Sequence, residues 1–441
     1  MARAVTAAPK GDGVDSPSPV VGLSKPRLLR VLGPGLITAA SDDDPSGIAT
    51  YSQAGAQFGF SITWTLLFTY PLMAAIQEIS ARLGRTTGCG IATNIRKIYP
   101  NWTLQVIAGL LLTANTINIG ADLGAMGDAT ALLIGGPKLV YILVFGVVSA
   151  VLQVFLKYTR YVSILKWLTL ALFAYFGTVM VVQVPWSAAA KGFLIPTFTA
   201  DAAFWATIVA ILGTTISPYL FFWQASQEAE DVKQMPKRKS LVNAPKQGRD
   251  AFERIKLDTY VGMAFSNLVA LAIMVTTAAT LHAHGIIDVQ TSSQAAEALK
   301  PVAGGFAFAI FTLGIVGTGL LAVPVLAGSA AYALGEARRW PSGLARRPAE
   351  AKAFYATIVV STLIGMIIGL SPIDPIKALF WSAVINGVVA APVMAMIMLL
   401  AANPKIMGKF AVGGVLKLIG WFATFVMGSA TVGLVVTSAL G

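Results

Sequence analysis

The sequence predicts an all-α polytopic membrane protein of about 11 transmembrane helices, and three observations carry that reading. The 441-residue chain is 56% hydrophobic and 12% charged, with a mean hydropathy of +0.72, whereas soluble domains are roughly a quarter charged. Apolar runs of about 20 residues, the length that crosses a bilayer core, recur eleven times. With the N-terminus placed in the cytoplasm, 28 of the 32 Lys and Arg residues fall on the cytoplasmic side, as the positive-inside rule requires.

Residues 1–25, with the stretch KGDGVDSPSPVVG, read as a flexible polar cytoplasmic tail. A signal peptide is not expected, because no short apolar core follows the first basic residues. The rest, 26–441, reads as a single transmembrane domain, with spans near 31–57, 60–83, 103–127, 137–157, 160–184, 202–227, 255–281, 303–335, 354–371, 375–401 and 410–440. The eighth run is long, so part of it is expected to be tilted or to leave the membrane. The cytoplasmic basic residues lie in 1–30, 82–97, 157–166, 233–256, 338–352 and 405–417. The outer side has Lys138, Lys191, Lys300 and Lys377. A multi-pass protein of the cell membrane follows, with its C-terminus outside.

This distribution makes the net charge of +12 topological, so the partner it implies is the lipid bilayer and not nucleic acid. The lone Cys89 excludes a disulfide framework and a cysteine-based metal site. No G-x-x-x-x-G-K-[ST] loop is present, which argues against ATP-driven pumping. A channel would be expected to show a selectivity loop and cues to a symmetric oligomer. An intramembrane aspartyl enzyme would need a second catalytic Asp and a glycine motif that IGADLG, around Asp122, does not supply. No enzymatic activity, resident cofactor or obligatory protein partner is expected.

Two spans are interrupted. In the first, ITAASDDDPSGIATYSQAGAQF places Asp44-Pro45-Ser46-Gly47 near the membrane centre. Proline deletes a helical hydrogen bond and glycine eases non-helical backbone. Such backbone is tolerated at that depth only where it lines a cavity or is buried in protein. An aspartate at a helix centre costs roughly 2.5–3.5 kcal/mol even on the mildest insertion scale. The sixth span carries GTTISPYLFFWQ, with Pro218 between Ser217 and Tyr219, about 170 residues later. Breaks at corresponding places point to inverted repeats with a substrate site at the midplane. Repeat one is then about 31–184, repeat two about 202–401, and 410–440 an added helix.

Freed carbonyls together with Asp44 suit a small, hard cation with oxygen ligands. The candidate ion-binding residues are Asp44, Ser46, Gly47, Thr214, Ser217 and Tyr219. Asp42, Asp43, Pro45, Pro218, Asp122 and Asn386 belong to the breaks or the pathway. Successive helical residues point about 100° apart, so at most one of Asp42 and Asp43 shares a face with Asp44. Glu78 is expected to pair with Arg82 one turn on. Asn115 and Asn118 have the spacing of interhelical hydrogen bonders. Glu228, Glu230 and Asp231 read as a surface charge cluster or a solvated vestibule. His282 and His284 form a pair without further ligands, and Trp102, Trp186, Trp381 and Trp421 read as interface anchors.

The first-span segment GPGLITAASDDDPSGIATYSQAGA resembles the first helix of the NRAMP family of divalent-metal transporters, whose pattern is G-P-G, then Asp-Pro-Gly-Asn, then Q-A-G-A. ISARLGRTTG resembles that family's A-A-R-L-G-x-x-T-G, and LGTTISPYL aligns with its L-G-A-T-I followed by Met-Pro-His. The resemblance implies a LeuT-like 5+5 inverted repeat and a divalent cation as transported substrate. It also implies departures: Gly47 stands at the family's asparagine, Ser217 at its methionine and Tyr219 at its histidine. Losing a soft thioether removes a preference for Mn²⁺ and Fe²⁺, and a smaller residue at 47 would leave room for a cation that keeps waters, as Mg²⁺ does. In ADLGAMGDA the family's D-L-A-E element keeps Asp122 but has Ala125 at the glutamate, with Asp128 as a possible substitute acid. These features resemble the NRAMP-related magnesium transporters, and imply Mg²⁺ with some Mn²⁺, carried without proton coupling. A proton-coupled Mn²⁺/Fe²⁺ importer is the alternative, and a trivalent ion such as aluminium is chemically allowed.

Overall fold

Every regular element among the described residues is a helix, the form in which a single segment satisfies its own backbone without water. The computed structural model describes residues 42–155, 168–235 and 237–440. The expected N-terminal tail, the start of the first span and the start of the fifth lie outside them.

Helix α1 (Pro45–Phe58) begins at the first break and ends at Gly59, whose φ of 57° turns the chain. A short turn leads into α2 (Trp64–Thr87), bent 110° from α1. There follow α3 (Asn101–Ile134), α4 (Lys138–Phe155) and α5 (Phe173–Val181). The second half holds α6 (Ala202–Thr215), α7 (Pro218–Gln234), α8 (Gly248–Thr280), α9 (Ala307–Arg338), α10 (Lys352–Gly369), α11 (Pro375–Ala401) and α12 (Gly414–Leu440). Eight helical stretches among the described residues are long and apolar enough to cross a membrane, or nine if the bent α1–α2 pair counts as one. The expected count of 11 treats α1 and α2 as separate spans and includes the partly described fifth run. The long eighth run is one continuous helix, α9, of 32 residues.

The two sequence breaks lie where the core is densest. In the apolar window of the α6–α7 span 94% of residues are buried, against 22% for α4 and for α12. The last helix therefore flanks the bundle while α6–α7 runs through it. α3 packs against α9, α10 and α11, and α6 against α11. The α6–α11 contact is made backbone to backbone. A Cβ at Gly213 would meet the Ala383 carbonyl oxygen at 2.0 Å, and one at Gly387 would meet that of Val209 at 2.5 Å. Small residues serve membrane helices in this way, because packing rather than hydrophobicity holds them together.

Contacts gather four of the six basic segments at one end of the bundle. Arg85 donates to the Lys239 carbonyl at 2.6 Å, and Arg96 to that of Glu336. The Ala345 amide donates to Glu230, and the Phe252 and Phe410 rings pack 5.4 Å apart. The other two segments, 1–30 and 157–166, lie outside the described residues. At the opposite end Gln53 accepts from the Val289 amide, His282 bonds the Ala56 carbonyl and Thr197 that of Ser61.

Glu78 and Arg82 pair at 2.5 Å, one turn apart. Glu228, Glu230 and Asp231 differ from the expected surface cluster or vestibule, since all three are buried. Arg254 reaches both oxygens of Glu228 at 2.9 and 2.7 Å, and Arg238 holds Asp231 at 3.0 Å. Glu230 accepts from the Tyr332 hydroxyl and the Ala345 amide. Charges taken out of water need such partners. α7 is accordingly buried in protein as far as Asp231, and only its last turn reaches solvent.

Candidate functional site

Asp44 sits in extended backbone (φ −68°, ψ 171°) at the start of α1. Pro45 takes the first helical position, where its missing N–H would have no helical partner anyway. The Asp44 carboxylate caps the new helix: Oδ1 accepts from the Gly47 amide at 2.8 Å and the Ser46 hydroxyl at 2.6 Å. The other oxygen, Oδ2, accepts from Asn118 Nδ2 of α3 at 3.0 Å and from the Tyr219 hydroxyl of α7 at 3.2 Å. Four donors from three helices thus converge on one buried carboxylate. Asp44 caps the N-terminus of α1, whose dipole favours its negative charge.

The second break follows the same logic. Pro218 lacks the N–H that would satisfy the Thr214 carbonyl, and the Ser217 hydroxyl lies 2.7 Å from that carbonyl and 2.7 Å from that of Gly213. Ser217 therefore spends its hydrogen on backbone and keeps oxygen lone pairs as its remaining capacity. Thr214 bonds the Tyr51 hydroxyl at 2.8 Å. Asp42 and Asp43 reach α8, where the Ser266 hydroxyl lies 2.5 Å from Asp42 and 3.2 Å from Asp43. Gly47 opens less space than the sequence suggested, because a Cβ there would lie 3.3 Å from the Asp42 carbonyl oxygen.

Asp122 and Asn386 are buried, and their side-chain oxygens and amide find no hydrogen-bond partner among the described residues. Each lies one turn from a member of the polar pair in which Ser382 donates to Asn118 Oδ1 at 2.6 Å. α10 runs alongside α3 in the same sense, with Gly120 beside Gly365 and Gly124 beside Gly369, and α11 returns from the end of α10 past Asn118 at Ser382, antiparallel to α3. Asp122 therefore lies on the side away from the basic end, and Asn386 on the side toward it.

Asn118, Ser382 and Ser266 were not among the sequence candidates for the site. The i, i+4 spacing of Asn118 and Asp122 was the one available signal, since it puts both on one face of α3. Asn115 is an interhelical hydrogen bonder, donating to the Leu326 carbonyl and to Ser329, both at 2.8 Å. The two histidines bond separate backbone carbonyls, of Ala56 and Thr280. Among the described residues no three His, Cys, Asp or Glu side chains group as metal ligands. The donor set at Asp44 is one carboxylate with hydroxyls, an amide and backbone. One sulfur lies close to the break: a Cβ at Gly319 would be 2.5 Å from Met126 Sδ and 3.2 Å from Pro45 Cγ.

The model of the natural resistance-associated macrophage protein-like family matches residues 35–437. Among solved structures, the chain is similar to the manganese transporter of Eremococcus coleocola in complex with an aromatic bis-isothiourea substituted compound. The identity is 15% and the TM-score 0.75, over 95% of this chain and 89% of that one. It is also similar to Mhp1 in an inward-facing conformation, at 12% identity and a TM-score of 0.51, over 92% of this chain and 91% of that one. At these identities the likeness to both structures concerns the fold.

Proposed function

Because the chain belongs to the natural resistance-associated macrophage protein family, we propose that it favours Mg²⁺, also carries Mn²⁺, and works by uncoupled alternating access. Family and fold make it a membrane transporter of divalent metal ions; the ion preference and the absence of proton coupling are the proposal.

The observation that carries it is the Asp44 carboxylate, buried where two interrupted spans meet and surrounded by oxygen and nitrogen groups without a thioether or imidazole among its hydrogen-bond partners. A dication arriving there takes over an anion that four donors already hold in place. Tyr219 and Ser217 offer hard oxygens, which favour Mg²⁺ over softer ions. Asp122 and Asn386 extend the polar strip one turn either way, which supports a route through the bundle past Asp44. The proposed absence of coupling rests on Ala125 and Tyr219, which stand where the resemblance places the family's glutamate and histidine and which do not change charge near neutral pH.

A second reading, a Mn²⁺-selective site, is favoured by the Met126 sulfur beside Pro45. Uptake of Mg²⁺ and Mn²⁺ in competition, measured with the wild type and Met126→Leu in proteoliposomes, separates the two. The proposal expects Mg²⁺ entry and an unchanged ion ratio in the variant. Exclusion of Mg²⁺, with Mn²⁺ entry lost in Met126→Leu, would establish the softer site instead.

A further inference from the structure

At the basic end of the bundle, two cavities share one wall. The first, of about 220 Å³, is polar and is lined by Arg96, Lys233, Arg339 and Arg346 together with Glu230 and Glu336. The two acids are already engaged: Glu230 accepts from the Leu344 and Ala345 amides and from Tyr332, and Glu336 accepts from the Thr93 amide. Arg339 and Arg346 form no ion pair among the described residues, Lys233 is close enough to Glu336 to act on its charge, and all three cations are exposed. The pocket therefore presents more free positive charge than free negative charge.

The second cavity, of about 290 Å³, is an apolar cleft between α3, α9 and α10, lined by Leu112, Leu334, Ala356, Val360 and Ile364. Val360 and Ile364 are 52% and 45% exposed, so the cleft opens on the lipid-facing surface. Trp340 lines both cavities, an aromatic ring between a wet pocket and a dry cleft. That is the usual place of tryptophan at a membrane interface. Arg339 adds a second kind of observation. It is the only non-glycine residue at positive φ among the described residues, at 60°, and it closes α9 where glycine is the usual choice. A long cation held in this strained position at the pocket rim indicates a use for its side chain.

We infer that this paired cavity is a binding site for one anionic phospholipid of the leaflet at the basic end, with the phosphate in the Arg339–Arg346 pocket and an acyl chain in the α3–α9–α10 cleft. Guanidinium groups take phosphate oxygens in pairs, and the negative potential of an anionic leaflet concentrates such lipids beside clustered Lys and Arg. The site lies on a surface away from Asp44, so it adds to the transport reading without depending on it.

The test uses the purified full-length protein in neutral detergent, with thermal unfolding followed as phosphatidylglycerol, phosphatidylcholine or inorganic phosphate is added. Phosphatidylglycerol should raise the melting temperature and phosphatidylcholine should not. The rise should vanish both in Arg339→Gln/Arg346→Gln and in Ala356→Phe, which fills the exposed cleft. An equal rise with phosphatidylcholine would overturn the requirement for a charged headgroup. An equal rise with inorganic phosphate that survives Ala356→Phe would make this a site for free anions and overturn the lipid assignment. Because the substitutions lie on the surface, unchanged melting of the lipid-free variants separates loss of binding from loss of fold.

Discussion

Asp44→Asn removes the charge at the centre of the site and leaves its shape. The Asn oxygen can still accept from the Gly47 amide and the Ser46 hydroxyl, so the α1 cap survives. The new amide replaces Oδ2, where Asn118 Nδ2 and the Tyr219 hydroxyl now donate. Tyr219 can rotate and accept instead, but Asn118 would face another donor. That mismatch costs about 1–3 kcal/mol in stability, which the fold can bear. The effect on the ion is larger. Two unit charges 4 Å apart attract by about 4 kcal/mol at an effective dielectric of 20, so a dication and a carboxylate attract by about 8 kcal/mol. If a quarter of this survives the cost of dehydration, about 2 kcal/mol, uptake efficiency falls roughly 30-fold, at 1.4 kcal/mol per factor of ten. Initial rates of Mg²⁺ entry into proteoliposomes, with thermal unfolding as the control for folding, measure both quantities. A variant that folds and transports within twofold of the wild type would refute the assignment of Asp44 as the ion's anchor.

Ser217→Met supplies a soft ligand at the second break and should shift preference from Mg²⁺ toward Mn²⁺; an unchanged ion profile in competition uptake would show that softness at this position does not set selectivity. Asn118→Ala removes one donor to the site carboxylate, a charge-assisted bond of about 1.5–3 kcal/mol, and should alter the concentration dependence of Mg²⁺ uptake roughly tenfold or more without unfolding the protein. Gly213→Ala forces a methyl against the Ala383 carbonyl, 2.0 Å from the ideal Cβ, and overpacking of this kind costs about 1–3 kcal/mol; thermal unfolding should show a lowered midpoint, and an unchanged midpoint would mean that α6 and α11 can separate.

Much of this structure is legible from local chemistry. Apolar runs announce membrane helices because lipid offers the backbone no partners, and Pro45 and Pro218 announce breaks because each lacks a donor. The Glu78–Arg82 pair follows from helical spacing alone. Tertiary satisfaction of polar groups was not legible. Glu228, Glu230 and Asp231 look solvated in a charged stretch, yet their partners Arg254, Arg238 and Tyr332 arrive from 7 to 102 residues away. Ser266 and Ser382 are unremarkable in sequence, and only the packing of α8 and α11 brings them to the aspartates and to Asn118. The space at Gly47 was likewise misjudged from residue size, since the Asp42 carbonyl occupies part of it.

The central claim, a hard and uncoupled dication site at Asp44, is tested most directly by Mg²⁺ uptake into proteoliposomes with internal pH followed in the same sample. The expected result is Mg²⁺ entry without acidification, reduced roughly 30-fold in Asp44→Asn. Entry of Mn²⁺ alone, accompanied by acidification of the lumen, would contradict it, favour the proton-coupled alternative and overturn the reading of Gly47, Ser217 and Ala125.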